Sequence, residues 1–156
     1  MLRISSRGRY GVKAVFELAR RYGRGPVSLT VVARAQGISE PYLEQLMPAL
    51  KRAGVVEAVR GAQGGYQLAV PPAAVTVGDV VRALEGPIML TTCTGDDPQE
   101  CPEVERCIGP DVWTRVQEAL VATMDAMTFA DLVARQRAVV RSEAADLWYQ
   151  ATGGTA

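Results

Sequence analysis

Between Ser28 and Val70 the start and stop signals of secondary structure come in an order that few architectures accommodate. Ser28 or Thr30 can cap a helix running through Gln36, and Gly37 then supplies a tight turn. Ser39 caps a second helix, with Pro41 tolerated in its first turn. A hydroxyl at such a position accepts from an amide that the helix leaves unpaired, so these residue types mark a beginning. Helix, glycine turn and helix read together as a helix-turn-helix, whose second member enters the DNA major groove. Leu43, Leu46 and Leu50 share the core face of that helix, while Ser39, Glu40, Pro41, Tyr42 and Gln45 form its exposed start. Pro48 cannot donate to the Glu44 carbonyl, so a bend near Met47 or two short helices is expected.

The run VVEAVR, the loop GAQGG and the run YQLAV follow directly. Two β-rich stretches around a glycine loop make a hairpin. A phosphate cradle is the competing reading of the glycines. Their spacing matches neither G-x-G-x-x-G nor a P-loop, and a strand rather than a helix comes next. A hairpin placed after a helix-turn-helix is the wing of a winged helix. Arg60 at its base and Gln63, Gly64 and Gly65 at its tip are positioned for the neighbouring minor groove, whose potential attracts arginine.

Helices are expected on both sides of this unit. From Ser6 to Tyr22, Gly11, Ala14, Val15, Leu18 and Tyr22 recur on one face, with Arg7 and Arg9 in the first turn. Those arginines, with Lys51 and Arg52, suit DNA phosphates; taken alone they read equally well as solubilising charge. Thr76 begins another helix, with Asp79 placed for a capping box, and Gly86-Pro87 stops it. Gly109-Pro110-Asp111 opens a long helix to about Met127, with Val112, Trp113, Val116, Ala119, Leu120, Thr123 and Met127 on one broad stripe. A small winged helix cannot cover so wide a stripe in its own core. Dimerisation through it is the natural reading, against an intrachain amphipathic helix, and two-fold symmetry would match two-fold related DNA half-sites. Thr128 and Asp131 cap a further helix through about Arg141. One last turn around Leu147–Tyr149 and a disordered GGTA end are expected beyond it.

The formal net charge of zero hides an asymmetry. Residues 1–70 carry 11 Lys and Arg against 4 Asp and Glu, whereas residues 71–156 carry 6 against 13. One half is suited to nucleic acid and the other faces elsewhere. No apolar run approaches the roughly 18 residues of a membrane span, and the N-terminal segment lacks a signal peptide's apolar region. A cytoplasmic protein with reduced thiols is expected.

All three cysteines lie within CTGDDPQECPEVERC, spaced C-x7-C-x5-C and interrupted by Pro98 and Pro102. Thiols on a short polar loop do not resemble core packing, and an odd count argues against a disulfide framework. Metal ligation, an iron–sulfur cluster and a thiol redox switch remain, with clustered thiolates suiting soft metals. Zinc is disfavoured because its structural sites use four Cys or His ligands, and the chain has no histidine. That same lack removes any Ser–His or Cys–His pair, so no enzyme and no small-molecule substrate are expected.

The strings SSRGRYGVKAV, QGISEPYLEQL, LKRAGVVEAVRGAQGGYQLA and VTVGDVVRALEG resemble, in the same order, the IscR/NsrR family of winged-helix iron–sulfur transcription regulators. The resemblance extends to about residue 137. It implies a mainly α fold with a small β-wing, and a homodimer on double-stranded DNA acting as a repressor. It also implies a cluster on Cys93, Cys101 and Cys107, 2Fe-2S rather than 4Fe-4S. Two departures stand out. The family's C-x5-C-x5-C is widened here, and its histidine shortly after the third cysteine is replaced by Pro110 and Asp111. Relatives that borrow a carboxylate from the partner's first helix have Arg9 at that place here. Asp111, Glu103 and Glu105 are the candidates for a fourth ligand, beside an exogenous ligand or an unfilled site. The expected organisation is a winged helix over 1–86, a cysteine loop over 87–110, dimerisation helices over 111–141 and a tail over 142–156.

Overall fold

The structure, a computed structural model, describes residues 4–91, 94 and 106–152, with side chains described through residue 143. Helix α1 (Ser6–Arg20) is the hub, packed against α2 (Leu29–Gln36), α3 (Glu40–Arg52), α4 (Val77–Glu85) and α6 (Phe129–Thr152), and against the wing. Ser5 caps it by accepting from the Arg7 amide. Its buried side is lined with small residues so that α4 can approach: a Cβ on Gly11 would run into the Leu84 side chain. Tyr22, expected on that face, lies past the helix end and is 46% exposed, because α1 stops at Arg20.

Helix α2 (Leu29–Gln36) is capped by Ser28, which accepts from the Val31 amide. Thr30, the alternative cap, instead donates to the Glu40 carboxylate. Gly37 sits in the left-handed region at φ 65°, so the chain reverses without the penalty a Cβ would bring. Helix α3 (Glu40–Arg52) then runs unbroken, which corrects the expectation of two short helices. Pro48 lies on its exposed side, where the unpaired Glu44 carbonyl can meet water. The buried Leu43, Leu46, Met47 and Leu50 flank the proline and anchor both halves of the helix in the core.

Strands β1 (Val56–Val59) and β2 (Gly65–Leu68) pair antiparallel, from Val56 opposite Leu68 to Val59 opposite Gly65. Val27 exchanges two 2.8 Å backbone hydrogen bonds with Tyr66, so the α1–α2 connection is fastened to the wing. After a 3₁₀ turn at Pro72–Ala74, Thr76 and Asp79 form the expected reciprocal capping box of α4 (Val77–Glu85). Gly86, at φ 84°, ends it.

Helix α5 (Gly109–Asp125) returns to the winged unit. The Val77 amide donates to the Met127 carbonyl, and the Phe129 amide donates to that of Val75. Helix α6 (Phe129–Thr152) follows; the single turn expected around Leu147–Tyr149 is part of this one 24-residue helix, while Gly153–Ala156 lies outside the described residues. Its start belongs to the main core: Phe129 is fully buried and Val133 nearly so, in one cluster with Val15, Leu18, Leu43, Leu50 and Val80. The apolar sequence stripe did not include either residue. On α5 the expected stripe is uncovered at its front, where Val112, Trp113 and Val116 are each about 45% exposed.

Candidate nucleic-acid interface and cysteine segment

The start of α3 is held by contacts that its apolar periodicity does not announce. The Glu40 carboxylate accepts from Thr30 Oγ1 at 3.1 and 3.0 Å, tying the first turn of α3 to α2. Tyr42 is half-buried rather than exposed. Its ring meets Tyr10 edge to face, with centroids 5.5 Å apart. Arg9 and Lys13 stand 5.8 and 5.9 Å from the Tyr10 centroid, so the basic side of α1 gathers beside the start of α3. Ser39, Pro41 and Gln45 are exposed, and Ser39 makes no side-chain cap bond, leaving these groups accessible on one end of α3.

Arg7, Arg9 and Arg60 are exposed, and none of them forms a salt bridge among the described residues. Gln63 projects at the wing tip, where the Gly64 amide donates to Gly61 O at 2.9 Å. The glycines there have an intrachain reason as well. A Cβ on Gly64 would strike the Val59 carbonyl oxygen, and one on Gly65 the Val27 carbonyl. Lys51 and Arg52 are exposed at the opposite end of α3 from Ser39 and Pro41.

Sequence reasoning missed one group entirely. Glu17 on α1 is fully buried, yet it is ionisable. It accepts from Arg21 Nε at 2.7 Å, Arg20 Nη1 at 3.3 Å and Gln36 Nε2 at 3.1 Å. A buried carboxylate must be paired, and these three donors do it while joining α1 to the end of α2. The available signal was a glutamate beside the apolar stripe, with arginines three and four residues on.

A second polar joint ties α4 to α5. Arg82 Nη2 bridges Asp125 at 2.8 Å and Asp79 at 3.0 Å. Burial opposes ionisation of Asp79, but hydrogen bonds from the Thr76 backbone and hydroxyl and from Arg82 outweigh it. Its carboxyl therefore titrates below the ordinary value. The hydrogen bond to Asp125 is the main reason that Arg82 is held above its own.

Of the proposed cluster ligands, Cys93, Cys101, Glu103 and Glu105 lie outside the described residues. Cys107 is exposed just before α5, and its Sγ accepts from the Gly109 amide at 3.2 Å. Asp111 is exposed in the first turn of α5. Gln117 reaches back to the cysteine segment, accepting from the Leu90 amide at 3.1 Å and donating to Thr94 O at 3.4 Å. Among the described residues no three His, Cys, Asp or Glu side chains come together. No described helix is long and apolar enough to cross a membrane.

The Rrf2 family, described as iron-dependent transcriptional regulators, has a sequence profile that matches residues 4–135. The chain belongs to the Rrf2 family. It is 42% identical over 131 residues to the HTH-type transcriptional regulator CymR of Bacillus subtilis, covering 84% of this chain and 89% of that one. The solved structure of B. subtilis CymR, described as the global cysteine regulator, superposes with a TM-score of 0.72 at 40% identity, over 86% and 98% of the two chains. T. potens IscR gives a TM-score of 0.71 at 41% identity, over 86% and 88%. The winged-helix reading and the resemblance to this family of regulators are thereby borne out, and like other Rrf2 proteins this one is a transcription regulator that binds DNA rather than an enzyme.

Proposed function

We propose that this Rrf2 protein is a cytoplasmic repressor whose operator affinity is set by an iron–sulfur cluster on Cys93, Cys101 and Cys107. The observation that carries the reading is the placement of all three cysteines between α4 and α5, in a chain of a family described as iron-dependent. The donor chemistry fits: Cys107 is an exposed cysteine, and cysteine sulfur is a ligand type suited to iron. Asp111 is the preferred fourth ligand, with Glu103 and Glu105 as alternatives. A carboxylate donates less well to iron than a thiolate, so such a cluster would be labile; the 2Fe-2S type is carried over from the family resemblance. When bound it would supply a redox-sensitive link between the segment after α4 and the start of α5.

The protein would act as a homodimer, with Val112, Trp113 and Val116 of α5 covered by the partner. Ser39, Glu40, Pro41, Tyr42 and Gln45 would present α3 to the major groove. Arg60, Gln63, Gly64 and Gly65 would bring the wing to the minor groove, and Arg7 and Arg9 would meet phosphates. A pair of such units fits half-sites about one helical turn apart.

A second reading keeps the same cysteines as a thiol switch, and it is favoured by similarity to the cysteine regulator of B. subtilis. Protein purified without oxygen distinguishes the two. Visible absorption that disappears in Cys107→Ala, together with a matching change in operator affinity, supports the cluster. Colourless protein whose DNA affinity changes with thiol oxidation supports the switch.

A further inference from the structure

The end of α1 and the wing enclose a cleft of about 510 Å³ whose lining includes Arg20, Arg21, Arg24, Ser28, Gln63 and Gly64. Three guanidinium groups meet there, and no carboxylate lines the cleft. Glu17, fully buried, is paired to two of the three arginines. Three arginines and one glutamate leave a local excess of two positive charges. Glu17 also fixes Arg20 and Arg21 in direction, while about 40% of each side chain stays exposed. An arginine held in this way loses less side-chain freedom on meeting an anion.

Arg24 has no ion-pair partner among the described residues. It is exposed in a tight turn between Gly23 and Gly25, both in the left-handed region at φ 79° and 91°. Its amide donates to Arg21 O at 3.0 Å. The cleft also receives the first turn of α2, whose amide end carries positive potential. The two Val27–Tyr66 hydrogen bonds hold this turn against the wing, so the arginines and Gln63 line one surface.

We infer that this cleft is a second clamp for the DNA sugar–phosphate backbone, beside the wing and separate from the groove-facing start of α3. The inference rests on the reading of α3 and the wing as the DNA-binding surface. A strand whose groove is entered by the wing tip runs past Gln63, and its phosphates then face Arg20, Arg21 and Arg24. The contact is to phosphates because the arginines project from the end of α1 and the turn after it, away from the start of α3. It therefore adds affinity on any sequence.

The test uses the full-length protein, a duplex selected by it from a random pool, and a random duplex of equal length. Arg24→Ala should reduce the slope of log affinity against log salt by about one per protomer on both duplexes. Arg24→Glu should weaken both further, by the same factor on each. Selection with either variant should return the wild-type sequence preference, and the melting temperature should not change. Unchanged slope and affinity in both variants, on a duplex that the wild-type protein binds, overturn the clamp. A changed sequence preference also overturns it, by making Arg24 a base reader. Failure of the wild-type protein to bind any duplex would instead overturn the DNA-binding surface on which the clamp rests.

Discussion

Replacing Glu17 by Ala tests the buried joint between α1 and α2. The wild-type carboxylate is fully buried and accepts three hydrogen bonds, two of them from guanidinium groups. A hydrogen bond involving a charged group contributes about 1.5–3 kcal/mol. The full sum is not lost, because Arg20 and Arg21 are about 40% exposed and can return to water. Gln36 loses its acceptor, and the truncated side chain leaves a void beside Leu18. We expect a destabilisation of about 3 kcal/mol, within the range for breaking one side of a buried pair. At about 2–4 °C per kcal/mol for a domain of this size, the melting temperature should fall by roughly 6–12 °C. Arg20→Ala should cost under about 1 kcal/mol, since it removes only the exposed partner at 3.3 Å and leaves Arg21 in place. Glu17→Gln keeps the volume but not the charge and should fall between the two. Thermal and urea denaturation followed by circular dichroism measure all three. A Glu17→Ala midpoint within 2 °C of wild type, or an equal loss for Arg20→Ala, would refute the asymmetry.

Gln45→Ala should alter base preference at about 1–3 kcal/mol per lost contact, whereas Arg60→Ala should weaken operator binding while the fold survives; competition binding with variant duplexes compares them. Cys→Ala at position 93, 101 or 107 should change operator affinity or choice while sedimentation still shows a dimer, and Asp111→Ala should make the visible spectrum more labile. Trp113→Asp should shift the protein to monomer in sedimentation, because a charge would replace the centre of the exposed α5 stripe. Asp79 titrates below the ordinary carboxylate value, so its contribution is complete above about pH 4 and is lost as pH falls through the depressed value. Asp79→Asn should therefore flatten the acid end of a stability–pH profile measured by urea midpoint.

Much of the fold was legible because its signals are local. The caps at Ser28, Thr76 and Thr128 act within three residues, as in the reciprocal Thr76–Asp79 bonds. Gly37 and Gly86 end helices through backbone angles that only glycine adopts readily. The two strands and their glycine loop needed only the chain between Val55 and Val70. The exposed start of α3 followed from Ser39, Pro41 and the leucine spacing, although that spacing did not show that Tyr42 packs on Tyr10.

Long-range packing decided the rest. A proline in mid-helix is locally disruptive, yet α3 continues through Pro48 because buried side chains on both sides outweigh one missing hydrogen bond. Phe129 has no special local pattern; it becomes a centre of the core because the α5–α6 turn is bonded back to Val75 and Val77. Glu17 reads as one half of an ordinary surface ion pair until α2 brings Gln36 over it and excludes water. The arginine cleft exists only because Val27 pairs with Tyr66 and sets the α1–α2 turn against the wing. Caps, turns and periodicity are chemistry between near neighbours in the chain, so the sequence by itself determined them. Burial, the approach of Gln36 to Glu17 and the seating of the arginine turn against the wing arise between segments far apart in sequence, and only the tertiary structure decides which of these meet.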